Sequence, residues 1–67
     1  MEDYHKRVVD VFVHKAELDE KLKNLRGFMN KAVYASLPAV EQGLLMVQLV
    51  AMDNYSDVLA RRIELVE

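Results

Sequence analysis

From Tyr4 onward, apolar residues recur at Val8, Val11, Leu18, Leu22, Leu25 and Met29, with Lys15 in the one vacant position of the series. Steps of four and three alternate, which is helical periodicity close to a heptad repeat. The pattern predicts a first helix over about residues 3–30. Asp3 is the candidate N-cap, since a short side-chain oxygen can accept the unpaired N–H groups of the first turn. The seam weakens at Gly27, so the helix is expected to end between Gly27 and Lys31. A connector follows over about residues 31–37. Pro38 suits the first turn of a second helix over about 38–66, because its missing N–H costs nothing there. Ser36 or Leu37 would cap that helix, and Glu41 would place negative charge near the positive end of its dipole. Each helix would hold about 28 residues and measure about 42 Å. Matched lengths and a short connection suit an antiparallel hairpin.

The second helix carries more apolar surface than one neighbour can cover. Leu45, Leu49, Met52, Leu59, Ile63 and Val66 form one stripe, with Ser56 as its polar gap. Val40, Leu44, Val47, Ala51, Tyr55 and Val58 form another, offset by one residue and therefore about 100° away. Met46 and Val50 extend the apolar surface to a third side. On the first helix, Val9, Phe12, Val13 and Ala16 lie off the main seam. Burying a side chain of Val or Phe size stabilises by about 1.5–3 kcal/mol, so wet faces of this extent would forfeit much of a small chain's stability. A symmetric homodimer would cover them, with two hairpins forming a four-helix bundle. The expected class is thus all-α: an antiparallel two-helix hairpin that homodimerises. Its dimer and core residues would be Leu18, Leu22, Leu25, Leu45, Leu49, Met52, Tyr55 and Leu59.

Composition narrows the ways such a chain can be stabilised. Sixty-seven residues form one domain with a marginal core. There is no cysteine, which removes disulfides and thiolate metal sites. His5 and His14 fall on opposite sides of a helix and cannot ligate one ion together. Oligomerisation is left as the means of stabilisation. Eleven acids stand against nine bases, interleaved as in Lys15-Ala16-Glu17-Leu18-Asp19-Glu20-Lys21. That reads as a solvated helix face with i to i+4 pairs and not as a basic stripe for nucleic acid. The start, Met-Glu-Asp-Tyr-His-Lys-Arg, has no apolar signal core. The apolar run Leu44–Met52 is far short of the roughly 20 residues that span a bilayer. A cytoplasmic protein without membrane or nucleic-acid partners is expected.

Catalytic chemistry finds little footing. No Glu-x-x-His motif of the di-iron bundles occurs. Asp10 and His14 stand at i and i+4, which is too few ligands for a structural metal site. Ser36 and Ser56 have no neighbouring histidine, and the two glycines stand singly, so neither an activated nucleophile nor a phosphate loop is apparent. Neither enzyme activity nor a cofactor or metal is expected. A small-ligand pocket has more support: Tyr4, Tyr34 and Tyr55 could stack on a base while Arg26 or Lys31 met a phosphate. Tyr4 and Tyr55, however, fall on core-facing stripes. Tyr34, in the connector, is a candidate anchor for a partner, or else a plug that closes the hairpin end. The methionines read chiefly as fillers of core gaps.

The run Ala16-Glu17-Leu18-Asp19-Glu20-Lys21-Leu22 is followed by Leu25, Phe28, Leu37-Pro38, Glu41-Gln42, Leu45, Gln48-Leu49, Met52, Tyr55-Ser56, Leu59 and Arg62-Ile63. Together these positions resemble a group of small phage-encoded two-helix proteins, over roughly residues 7–63. The departure lies at Val11-Phe12-Val13, where such proteins usually carry polar residues; an apolar patch there reads as a binding surface. The resemblance implies a phage accessory protein that disables a host regulator by direct contact, such as an anti-activator docking on a quorum-sensing transcription factor. On that view Val9, Phe12, Val13, Tyr34, Met46 and Val50 are the partner-binding residues. The partner is a host protein, and the site of action is the host cytoplasm. The alternatives are a sponge for a small ligand or nucleotide, and a minor virion assembly protein.

Overall fold

The computed structural model describes residues 2–66, and their side chains from Lys6 to Leu65. Helix α1 spans Glu2–Met29, a single turn α2 spans Ala32–Ala35, and α3 spans Ala39–Val66. Among the described residues there is no strand, and the chain is all-α. Helices α1 and α3 lie side by side in opposite directions, so that His14 meets Tyr55, Asp19 meets Ser56 and Arg26 meets Asp53. The result is a rod of 51 × 15 × 14 Å. Its radius of gyration is 15.4 Å, against about 11 Å for a compact domain of this length. The shape alone gives most side chains no interior to enter.

The seam between the helices is the one the heptad spacing marks. Leu18, Leu22 and Leu59 are buried, and Val8, Val11, Leu25, Met29, Leu45, Leu49, Met52 and Ile63 are half-buried around them. Apart from Tyr55, which reaches His14, the second stripe of α3 is left exposed. Val40 is 74 % exposed and Val47 66 %. One helix has covered one stripe.

The connector differs from the sequence reading in detail. It contains the helical turn α2, and the Ser36 hydroxyl donates back to the Val33 carbonyl at 2.7 Å instead of capping α3. Pro38 disfavours helical geometry at Leu37, which separates the two helices. Helix α3 opens just after the proline, with the Gln42 N–H donating to the Pro38 carbonyl. The Gln42 side chain then turns back and donates to the carbonyls of Ala35 and Leu37, at 3.2 and 2.8 Å. Orphan carbonyls at the end of a helical turn are satisfied in this way. At the other end, α1 begins at Glu2, which places Asp3 within the helix; its side chain lies outside the described residues.

The two polar interruptions of the seams, Lys15 and Ser56, meet. The Lys15 ammonium donates to Asp19 Oδ2 at 2.7 Å and to Ser56 Oγ at 3.1 Å. The Ser56 hydroxyl in turn donates to Asp19 Oδ1. Ser56 is 7 % exposed, yet both its donor and its acceptor roles are used. A buried hydroxyl without partners would be costly, and this one has them.

These contacts, chiefly the Lys15 hydrogen bond and then that of Ser56, hold the Asp19 carboxyl below its ordinary value of 3.8. A carboxyl depressed in the folded state stabilises the fold above its unfolded pKa, and that stability is lost as the pH falls through the folded pKa. Wild type should therefore melt above Asp19→Asn at neutral pH, with the gap closing as the pH drops below 3.8. Thermal melts of both proteins across that range check this. A gap that ignores pH would mean the carboxylate charge does not contribute.

Candidate functional site

Toward the open end of the hairpin, α1 and α3 form a groove of about 620 Å³. Its centre is a pair of rings. His14 Nε2 and the Tyr55 hydroxyl share a hydrogen bond of 3.0 Å, and the rings meet edge-on at 5.3 Å between centroids. Tyr55 is 44 % exposed, so the residue expected in the core stands on the rim of the groove. Val11 supplies an apolar floor, with the enclosed Leu59 beneath it. Arg7 from α1 and Arg62 from α3 add two guanidinium groups, while Asp10 and Glu17 add two carboxylates along the α1 wall. The guanidinium fork suits phosphate or carboxylate oxygens, and the carboxylates suit hydroxyl or amine donors. The lining suits a ligand that offers both an anionic group and hydrogen-bond donors.

Helical spacing places Arg7, Asp10, His14 and Glu17 on one side of α1, at steps of three and four. That signal was present in the sequence. It was masked because Asp10–His14 reads as a surface pair until α3 brings Tyr55 and Arg62 opposite.

The tyrosines and cations first considered for a ligand are not gathered. Tyr34 sits at the connector, edge-on to Phe28 at 6.2 Å, and its hydroxyl donates to the Gln42 carbonyl at 3.1 Å. It is half-buried and braces the turn. Arg26 is taken by Asp53 at 3.0 Å. The side chain of Tyr4 lies outside the described residues.

Val9, Phe12 and Val13 are exposed together on α1, and Val13 also reaches the groove. Met46 and Val50 are exposed on α3, where with Val47, Ala51 and Asn54 they outline a shallow apolar depression. The residues proposed for partner contact therefore form two separate patches, one on each helix, with Tyr34 apart from both.

The Lys15–Ser56 contact invites comparison with serine–lysine nucleophiles. The resemblance is superficial. The Lys15 ammonium is occupied by a carboxylate, and the hydroxyl is buried with its own proton given to Asp19. Among the described residues no group of three or more histidine or acidic side chains is placed to hold a metal ion. No helix among them is long and apolar enough to cross a membrane.

No curated protein and no solved structure matches the chain. A family model does: the Sequestin model matches residues 2–65, which takes in both helices, the connector and every residue of the groove. With nearly its whole length matched, the chain belongs to the Sequestin family.

Proposed function

We propose that this chain is a non-catalytic sequestering protein that holds a small nucleotide-like ligand in the groove, made from a phage genome and acting in the host cytoplasm. The observation that carries this reading is the groove itself, which Arg7, Arg62 and the His14–Tyr55 pair all line. Arginine meets phosphate, the aromatic rings give a base a surface to pack on, and Asp10 or Glu17 can accept from sugar hydroxyls. The family's name, which speaks of sequestration, supports stoichiometric binding over turnover.

A second reading has its own observation. The exposed patch of Val9, Phe12 and Val13 on α1 suits a host protein such as a transcriptional regulator, blocked by direct contact.

One experiment separates the two. Thermal shift of wild type is measured against a panel of mononucleotides and dinucleotides, with Arg7→Glu and His14→Ala alongside. A ligand at about 100 times its Kd should stabilise the fold by about 2.7 kcal/mol, and each variant should weaken binding about tenfold or more. No shift across the panel at millimolar concentration would overturn the ligand reading. A host protein captured stoichiometrically by wild type and lost with Phe12→Asp would put the second reading in its place.

A further inference from the structure

The stripe of α3 that α1 leaves open is itself a complete heptad seam. Val40, Leu44, Val47, Ala51, Val58 and Leu65 occupy six of its eight positions, with Asn54 and Arg61 at the others. The steps run four, three, four, three, four, three, four. All eight side chains are exposed, Leu65 at 87 %. Such a seam is built to receive another helix. The patch on α1 is different: continued along its own face beyond Ala16 it meets Glu20 and Lys23.

We propose that a second copy of this chain covers the seam, its α3 packed antiparallel against the first. Area gives the first argument. The chain exposes 5368 Å², against about 4,300 Å² for a compact monomer of this mass. The excess of about 1,000 Å² is comparable to the roughly 800 Å² that each partner buries in a standard interface.

Register and charge give the second. Antiparallel seams pair in layers about a twofold axis. With the axis between Ala51 and Asn54, Val47 meets Val58 of the second copy, and Val40 meets its Leu65. Ala51 meets Asn54, and Leu44 packs on the Arg61 stem. Beside these layers, Glu41 falls next to Arg62 of the second copy, and symmetry makes that opposite-charge contact twice. A parallel arrangement would instead stack Arg61 on Arg61. Self-complementarity of this kind favours the chain's own copy over an unrelated helix.

The pairing goes beyond the sequestration reading and also bears on it. Tyr55 and Arg62 flank the same seam, so the second copy's α3 would run along that side of the groove, and the dimer would hold two equivalent sites.

The test is the mass in solution by light scattering, without ligand, over a range of micromolar concentrations. Wild type should show twice the 7.7 kDa of one chain. Val47→Asp should dissociate it. Glu41→Arg should weaken the dimer about tenfold, and adding Arg62→Glu should restore it. If Val47→Asp also unfolds the hairpin, the charge exchange decides. Wild type at the mass of one chain overturns the proposal. So does a dimer that survives Val47→Asp but dissolves with Phe12→Asp, or a double exchange no better than Glu41→Arg. The mass is read without ligand, so failure of the dimer does not imitate failure of the ligand site; Arg62→Glu, which also alters the groove, is scored on mass alone.

Discussion

Leu59→Ala should destabilise the hairpin by about 2–5 kcal/mol, enough to leave much of the population unfolded at 37 °C. Leu59 is 0 % exposed and is the one large side chain fully enclosed among the described residues. Truncation removes its transfer free energy and leaves a cavity that two rigid helices can close only in part. A domain of this length has about 3–10 kcal/mol to lose. Leu22, at 3 % exposure, is next in order, followed by Leu18. Urea melts followed by circular dichroism, at matched protein concentration, measure the effect. A loss under about 1 kcal/mol would mean that the α1–α3 seam is not where the stability lies.

The α1–α3 seam could be read from the sequence because a heptad repeat is a local property of each helix. Leu18, Leu22 and Leu59 declared themselves by spacing. What pairs across the seam could not be read, since periodicity fixes a face and not an axial register. Lys15 and Ser56 therefore stood as two unrelated gaps, and only the antiparallel alignment joins them through Asp19. The groove failed to appear for the same reason: its four polar α1 residues are ordinary surface residues until Tyr55 and Arg62 arrive from α3. Tyr34 illustrates a different limit. Its place against Phe28 and Gln42 depends on the turn Ala32–Ala35, which is too short to show a period.

The Lys15–Asp19–Ser56 cluster matters more for alignment than for stability, and the double change Lys15→Leu with Ser56→Leu should show it. Both positions belong to otherwise apolar seams, and both are at least partly withdrawn from water. Replacing buried polar partners with packed apolar groups is often neutral or stabilising by about 1–4 kcal/mol. Asp19 is not stranded by the change, because its side chain is 46 % exposed and can be hydrated. The melting temperature should therefore rise. The single change Lys15→Leu should not gain as much, since buried Ser56 would keep only one of its partners. The cost should appear in uniqueness. With unbroken leucine seams, α1 and α3 can slide by a heptad, or exchange between chains, without exposing a charge. Broader mass distributions in light scattering, alongside the higher melting temperature, are the expected signature. A double variant that is less stable than wild type and still of a single mass would mean the cluster supports the fold chiefly through its hydrogen bonds. In that case the groove between Arg7 and Arg62 would owe its alignment to the apolar layers around Leu59 and not to the polar contact one turn away.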